Sequence, residues 1–333
     1  MRHLRTARRL WRGGSLAARA LAARDSHTFV RGLFLSAAAR LGMPGWLRGG
    51  GFRLADAVAS SGATDPELVR AWLRVGVALG ELRERAGVYR AAGARLRAMA
   101  GGDALLVDHY RSFTEYQSGV YAELPRLLTG AARDDLTDFA GTIAAVSRAA
   151  EPFVSTFVAE DLAGLRPASL LDVGCGSGVY LREMLRRFPS AAGVGIDLSA
   201  DVVAAARANL AAWGLSARAT VREADVRSFD GSFDLVTFFN CVYYFPGAQR
   251  ADAFAKARDL LRPGGHLVVV TMVAPGSVAA AHLDLMLRVQ RSPADLPARP
   301  ELLAQIRAAG FEVRTCRRVV PTEPYWGVVA RRR

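Results

Sequence analysis

The sequence predicts an α/β fold: a seven-stranded, mostly parallel sheet with helices on both faces, preceded by a mainly α-helical domain. From Ser169 onward, short apolar runs alternate with helical segments, and these runs read SLLDV, AGVGID, ATVREAD, FDLVTFFN and HLVVVT. Such alternation is typical of parallel strands joined by helices. Residues 301–333 read as one helix followed by two strands that complete an edge of the sheet.

Composition and periodicity divide the chain into three segments. Residues 1–25 are strongly basic, with no acid before Asp25, and we expect a poorly ordered extension. An organellar transit peptide is the alternative interpretation of that composition. Residues 26–145 are expected to form a helical, winged-helix-like domain for dimerisation and for covering the site. Residues 146–333 are expected to form the ligand-binding α/β domain.

The positive charge of the chain is not typical of a nucleic-acid-binding surface. There are 44 basic residues against 31 acidic ones, a net charge of +13, but only Lys256 among the basic residues is a lysine. That bias indicates GC-rich coding rather than a surface selected to bind phosphate. Residues 1–60 hold eleven arginines against two aspartates, so most of the excess precedes the α/β domain. We therefore expect no specific nucleic-acid partner.

Cysteine usage, hydropathy and acidic clusters bear on the cellular compartment of the protein, on membrane spans and on metal binding. Cys175, Cys241 and Cys316 are isolated thiols without a CxxC pair, which argues for a reducing, cytoplasmic compartment and against structural zinc. No run of about 18 uncharged apolar residues is present, so we expect no membrane span. No clustered Asp, Glu and His residues resemble a magnesium site, so we expect no metal.

The segment from Phe52 to Arg90 has the order helix, turn, helix, hairpin, which is that of a winged helix. A first helix stops at Gly62, and a second begins at Asp65-Pro66, a capping residue followed by proline. Apolar residues then recur at helical spacing and give the second helix an apolar face: Leu68, Trp72, Val75 and Leu79. Two short strand-like pieces, LRER and VYR, follow.

This module has two interpretations. It can bind DNA with its second helix in the major groove, or it can serve as a dimerisation and lid domain in front of an enzyme. The second helix offers only Arg70 and Arg74 as phosphate partners, and an enzyme-like half follows. We therefore favour the second interpretation and expect a homodimer formed through this domain.

The most informative stretch is LLDVGCGSGVY, residues 170–180. Gly174, Gly176 and Gly178 allow a tight turn and close approach of a ligand, and a helix starting near Val179 points its free amides at the turn. Ligands of parallel sheets bind at this carboxyl edge. The dinucleotide fingerprint has its third glycine three residues after the second, whereas here it comes two residues after. This spacing disfavours a dehydrogenase.

The pattern Asp172-x-Gly174-x-Gly176-x-Gly178 resembles the first motif of the class I S-adenosylmethionine-dependent methyltransferases. The resemblance continues through GVGIDLS, READV, FDLVTFFNCVYYFP and LLRPGGHLVVVT, over roughly 165–275. It implies a Rossmann-like fold, S-adenosyl-L-methionine as the cofactor, and a small-molecule substrate. Together with the winged-helix-like front domain, it resembles small-molecule O-methyltransferases in particular.

The resemblance also implies a set of cofactor-binding residues. Asp197 would accept hydrogen bonds from the ribose hydroxyls, and Asp225 from the adenine amino group, because a carboxylate offers acceptors only. Val226 would supply a backbone amide, and Asp172 would be linked indirectly to the methionine ammonium. The full set is Asp172, Gly174, Cys175, Gly176, Gly178, Asp197, Leu198, Asp225, Val226, Asn240 and Tyr116.

The sequence departs from the O-methyltransferase pattern at the catalytic base. Family members commonly place a histidine just after the fourth strand of the domain, where this chain has Asn240-Cys241-Val242-Tyr243-Tyr244. We consider His109, His282 and Tyr243 as catalytic candidates. The missing histidine leaves open N- or C-methylation, and also a non-methyl use of the sulfonium such as transfer or cyclisation of its aminocarboxypropyl arm. A winged-helix regulator that senses S-adenosylmethionine is the alternative from another class.

Overall fold

The computed structural model of the chain describes Trp11 and residues 15–133, 148–292 and 294–333. The chain forms two compact units, one ending at Tyr121 and one running from Ala122 to Arg333. The boundary predicted between residues 145 and 146 lies outside the described residues, as does most of the predicted extension. Residues 16–25 of that segment are helical.

The first unit is mainly helical. Its helices are α1 (Leu16–Arg40), α2 (Met43–Leu47), α3 (Leu54–Ser61), α4 (Pro66–Ala78), α5 (Ala94–Ala100) and α6 (Ala104–Ser112). A π-helical segment, Phe113–Gln117, leads into α7 (Ser118–Leu128). The boundary between the two units, after Tyr121, falls within the residue range of α7. Strands β1 (Phe52–Arg53), β2 (Leu82–Arg85) and β3 (Val88–Ala91) form an antiparallel sheet in the order β1-β3-β2.

The elements from α3 to β3 follow the predicted order helix, turn, helix, hairpin. The Asp65 carboxylate caps α4 by accepting hydrogen bonds from the amides of Glu67 at 2.9 Å and Leu68 at 3.1 Å. Ala86 and Gly87, with φ of 52° and 75°, form the two-residue turn between β2 and β3. Local signals in the sequence are therefore sufficient to set these elements.

The apolar face predicted for α4 is only partly buried. Leu68 remains 67% exposed, whereas Val69, Leu73 and Gly76 are buried in the core of the unit. A Cβ atom added at Gly76 would lie 2.3 Å from the ring of Phe34 on α1. The missing side chain therefore lets α1 pack closely on this side of α4. Trp72 and Leu79 of the predicted stripe also pack against this core, and the Trp72 ring lies 5.5 Å from that of Phe34.

The second unit contains the large sheet. Its helices are α8 (Glu151–Asp161), α9 (Val179–Arg187), α10 (Ala200–Ala212), α11 (Gly247–Leu260), α12 (Val278–Arg288) and α13 (Arg299–Ala308). Its strands are β4 (Ser169–Val173), β5 (Ala192–Asp197), β6 (Ala219–Glu223), β7 (Phe233–Phe239), β8 (Leu261–Met272), β9 (Phe311–Val320) and β10 (Tyr325–Arg332). The strand order is β6-β5-β4-β7-β8-β10-β9.

The predicted fold class is confirmed. Strands β4 to β8 pair in parallel, and β10 pairs antiparallel with both β8 and β9. The strands of the sheet contribute to two separate apolar clusters, which also contain residues of the flanking helices. From β4, strands β5 and β6 are added on one side of the sheet, whereas β7 and β8 are added on the other side. The point at which the strand order reverses therefore lies between β4 and β7. Ligands of open parallel sheets bind at such a switch point.

None of the helices that the structure describes is both long enough and apolar enough to cross a membrane.

Candidate cofactor and active site

The glycine turn after β4 has the backbone geometry that its sequence predicts. Gly174, Gly176 and Gly178 have φ of 65°, 53° and 81°, all in the left-handed region that favours glycine. The amide of Cys175 donates to the carbonyl of Ile196 on β5 at 3.0 Å, and the Gly178 amide donates to the Cys175 carbonyl at 2.9 Å. Helix α9 begins immediately afterwards, so its first amides are directed back toward the turn.

Two of the glycines have different steric surroundings. A Cβ atom added at Gly174 would lie 2.7 Å from Cβ of Cys241, which follows β7. A Cβ atom added at Gly176 would meet no atom within 4 Å. Gly174 is therefore required for the chain to pack, whereas the open space beside Gly176 is available to a ligand.

A cavity of about 390 Å³ lies at this carboxyl edge of the sheet. Most of the residues predicted to bind the cofactor line it: Gly174, Cys175, Gly176, Asp197, Leu198, Asp225, Val226 and Asn240. Asp172 and Gly178 are not among the lining residues. Tyr116 is a buried residue of the first unit, in the π-helical segment. The cavity therefore lies at the ends of β4, β5, β6 and β7, beside most of the residues predicted to bind the cofactor.

Asp197 at the end of β5 connects two backbone segments. Its carboxylate accepts hydrogen bonds from the amides of Gly176 at 3.1 Å and Ser199 at 3.2 Å. Ser199 itself caps α10 by accepting from the Val202 amide at 3.4 Å. Asp197 therefore holds the glycine turn beside β5, and each carboxylate oxygen retains a further lone pair for a ligand.

Asp225, after β6, forms an ion pair that the sequence did not indicate. The carboxylate accepts from the Arg227 guanidinium and from the Arg227 amide, the latter at 2.9 Å. The hydrogen bond from the Arg227 side chain is the main reason that the pKa of Asp225 lies below its ordinary value. The group is consequently an ionised acceptor at the cavity wall, and Arg227 also lines the cavity.

Asp172 is a buried carboxyl group one residue before the end of β4. One oxygen accepts from the Thr237 hydroxyl at 2.7 Å, and the other, Oδ2, has no hydrogen-bond partner among the described residues. Burial, opposed by the Thr237 hydrogen bond and reinforced by the charge of Asp197, raises the pKa of Asp172 to about 7. An unpartnered buried carboxyl oxygen beside the turn fits a cationic ligand better than an anionic one.

Asn240 directly follows β7, and its conformation is unusual. Its φ is 56°, in a region that non-glycine residues rarely adopt. The backbone is held there by the Asn240 amide, which donates to the Val270 carbonyl on β8 at 2.9 Å. Its side-chain Nδ2 lies 3.4 Å from the Tyr180 hydroxyl, and the Tyr325 hydroxyl donates to its Oδ1.

The three catalytic candidates lie in different surroundings. Tyr243 is buried in a small apolar cluster and is not a lining residue. Burial raises the pKa of Tyr243 well above its ordinary value, so the phenol stays protonated and cannot act as a base near neutral pH. His282 on α12 does not line the cavity either. His109, in the first unit, packs edge-on against the rings of Tyr110 and Phe113, with centroid separations of 5.5 and 5.1 Å.

Burial lowers the pKa of both His109 and His282. Both imidazoles are therefore largely neutral at pH 7, which is the state that accepts a proton. No histidine is among the lining residues of the cavity that the structure describes.

Sequence reasoning missed several lining residues. Arg148 lies in a 3₁₀ turn far from any motif, and it pairs with Glu151 at 3.3 Å. Tyr180 and Phe239 stack on each other with centroids 4.8 Å apart. Tyr180 is the last residue of the stretch LLDVGCGSGVY. Its position in the first turn of α9, directly after the glycine turn, could have indicated that it lines the cavity. Arg148 offered no such signal, because it is brought to the cavity only by packing.

A metal site would need several His, Cys, Asp or Glu side chains close together. Within residues 15–133, 148–292 and 294–333, no group of three or more His, Cys, Asp and Glu side chains has a metal-binding arrangement.

Comparison with known proteins agrees with this geometry. Residues 170–265 match the family model described as a methyltransferase domain. The chain carries a class I methyltransferase domain. The malonyl-[acyl-carrier protein] O-methyltransferase of Geobacter sulfurreducens is 31% identical over 184 residues, which are 52% of this chain and 66% of that protein. The chain spans about half the length of the curated relatives it matches.

Solved structures share the fold of the whole chain. An O-methyltransferase family protein from Burkholderia thailandensis has a TM-score of 0.75 and 22% identity, over 93% of this chain and 97% of that one. Human N-acetylserotonin methyltransferase in complex with S-adenosylmethionine has a TM-score of 0.75 and 17% identity, over 95% and 97% of the two chains. The carboxylates and the open glycine turn of this chain fit a cationic ligand that carries an adenosine.

We expect Gly174→Ala to affect mainly stability and Gly176→Ala to affect mainly ligand binding. Gly174→Ala should lower the melting temperature strongly, because its methyl group would lie 2.7 Å from Cys241 Cβ. Gly176→Ala has a similar left-handed backbone but open space, so it should lose only about 1–2 kcal/mol of stability. Its methyl group enters the cavity, however, and should weaken binding of S-adenosylhomocysteine by about tenfold or more, an effect of ~1.4 kcal/mol.

Thermal denaturation and calorimetry measure the two effects separately. Normal ligand binding by Gly176→Ala would show that the cofactor does not approach this turn.

A second prediction concerns pH and Asp172. Because the folded-state pKa of about 7 lies above the ordinary 3.8, the folded chain retains a proton that the unfolded chain has lost between these two values. Stability should therefore fall as the pH rises from about 4 to about 7 and then level off, by at most ~1.4 kcal/mol per pH unit. Asp172→Asn should remove this decline.

Urea unfolding between pH 4.5 and 8 measures the difference between the native chain and the variant. Asp201→Asn, at an exposed position of α10, is the matched control. Parallel stability curves for the native chain and Asp172→Asn would contradict the assignment.

Proposed function

We propose that this chain transfers the methyl group of S-adenosylmethionine to a small-molecule acceptor, with oxygen favoured over nitrogen or carbon. The observation that carries the proposal is the row of groups along one cavity, in which a bare glycine turn follows β4 and single carboxylates follow β5 and β6. The likeness to a Burkholderia protein described as an O-methyltransferase family protein supports the preference for oxygen.

The residues along this row have complementary roles in holding the cofactor. Asp197 would accept hydrogen bonds from the ribose hydroxyls, using the lone pairs that the turn amides leave available. Asp225 would accept from the adenine amino group, with Arg227 keeping the carboxylate ionised. Val226 would supply its backbone amide, and Cys175 and Leu198 would contribute apolar walls. Arg148, as a lining cation, would suit the carboxylate of the methionine arm.

The protein's contribution to the chemistry is mainly alignment. S-adenosylmethionine, when bound, supplies a methyl group that is already activated by its positively charged sulfur. The stacked rings of Tyr180 and Phe239 form part of the wall of the cavity and would exclude water from this side. Holding the acceptor in line with the methyl group removes an entropic cost from the reaction.

The first unit would serve as a dimerisation and lid domain. Among its described residues, several large apolar side chains are exposed, including Phe29 at 65% and Leu68 at 67%. Covering them in a homodimer would remove apolar surface from water. Tyr116 would contact the cofactor from this domain. Sedimentation equilibrium measures the proposed dimer directly.

We expect S-adenosylhomocysteine to bind the purified chain in calorimetry and NAD to give no binding heat. With S-adenosylmethionine and a panel of hydroxylated aromatic acceptors, mass spectrometry should detect S-adenosylhomocysteine together with an acceptor heavier by one methylene unit. Asp197→Ala is the control that should abolish both products. Methylthioadenosine as the sole nucleoside product would instead establish transfer or cyclisation of the other arm.

For a hydroxyl acceptor, we propose that either His109 or His282 is the base, and replacing the histidine that acts with glutamine should lower kcat by about 100-fold or more. The glutamine variant of the other histidine should leave kcat within about threefold, a change of less than ~1 kcal/mol. Turnover is measured at saturating acceptor. Near-normal rates for both variants would remove both histidines from the mechanism.

A further inference from the structure

Asn240 is held in place more firmly than a side chain that merely lines a cavity. Its left-handed backbone is fixed by the hydrogen bond of its amide to the Val270 carbonyl at 2.9 Å. The next residue, Cys241, packs against the glycine turn and donates its thiol to the Val173 carbonyl at 3.0 Å. A rare backbone conformation that is maintained by several contacts is a reason to search for a functional role.

The Asn240 side chain is also fixed, and by a residue from outside every motif. Tyr325 is the first residue of β10, where it pairs with Met272 of β8. It is buried, and its hydroxyl donates to Oδ1 of Asn240. Burial raises the pKa of Tyr325 well above its ordinary value, so the phenol keeps the proton that it donates. With Oδ1 engaged, the amide presents its Nδ2 on the side of Tyr180 and the cavity.

The position of Asn240 in the row of strand ends indicates which part of the cofactor it meets. Along the sheet, the order β6-β5-β4-β7 puts Asp225, Asp197, the glycine turn and Asn240 in sequence. If adenine and ribose lie at β6 and β5, the amino-acid arm extends toward β7. That arm offers two polar groups, a carboxylate and an ammonium. An amide Nδ2 can only donate, so it matches the carboxylate and not the ammonium.

We propose that Tyr325 is a positioning residue, whose hydroxyl holds the Asn240 amide so that Nδ2 donates to the carboxylate of the cofactor's amino-acid arm. The inference rests on the proposed function, because it assumes that the cavity binds S-adenosylmethionine. It adds a recognition element for the amino-acid arm and a remote residue that orients it.

The test compares two ligands that differ only in that arm. S-adenosylhomocysteine carries the amino acid, whereas methylthioadenosine keeps the adenosine and the sulfur without it. Tyr325→Phe should raise the Kd of S-adenosylhomocysteine by about three- to tenfold, the effect of one lost hydrogen bond. The Kd of methylthioadenosine should stay within about twofold, since that ligand does not contact the amide. Calorimetry on the full chain measures both.

A structural role for Tyr325 predicts a different pattern. Loss of packing around the cavity would weaken both ligands alike, and that result would overturn the proposal. Tyr89→Phe is the matched control, since it removes a hydroxyl from a buried tyrosine in the first unit and should change neither Kd.

The dependence on Asn240 gives a second, independent criterion. Asn240→Ala should itself weaken S-adenosylhomocysteine selectively, and adding Tyr325→Phe to it should have no further effect. Additive losses in the double variant would contradict positioning through the amide. If Tyr325→Phe fails to fold, the selectivity of Asn240→Ala decides whether the amide contacts the arm, and equal weakening of both ligands would overturn the proposal.

The outcomes also separate this inference from the function it rests on. No binding of S-adenosylhomocysteine by the native chain would contradict the proposed function. Normal binding by the native chain, with an unchanged ratio of the two Kd values in Tyr325→Phe, would contradict the positioning role alone.

Discussion

The close approach of the glycine turn to the end of β7 is the constraint on which the site depends. At Gly174 a side chain would collide with Cys241, and the Cys241 thiol in turn donates to the Val173 carbonyl at 3.0 Å. This contact joins β4 and β7 at the point where the strand order reverses. Groups at the ends of four neighbouring strands therefore line one cavity.

The electrostatics of the site follow from where each acid lies relative to that cavity. Asp197 and Asp225 reach the cavity wall and are held by backbone amides or by Arg227. Asp172 is enclosed behind the turn, where burial raises its pKa to about 7. Placing acids at successive strand ends disfavours phosphate-rich ligands and favours a cationic one, because unlike charges attract more strongly in a site partly removed from water. The same fold could otherwise serve a dinucleotide.

Most of the fold could be predicted from local patterns. The strands from β4 to β8, the cap at Asp65 and the turn at Ala86-Gly87 each depend on a few neighbouring residues, and the structure contains all of them. The buried face of α4 could not be predicted in the same way. Val69, Leu73 and Gly76 lie beside the predicted stripe on the helix, and their burial depends on Phe34, which packs where Gly76 has no side chain.

The sequence by itself determined the glycine turn, the carboxylates at the strand ends and the family of the α/β domain, because these features are written in short stretches with fixed spacing. Only the tertiary structure decided the rest of the site. Arg148 lines the cavity and Tyr325 contacts Asn240, although both come from segments remote in sequence. Tyr243 and His282 are not among the lining residues. The physical reason is that long-range packing, unlike a turn or a cap, depends on how whole helices and strands fit together and leaves no local pattern.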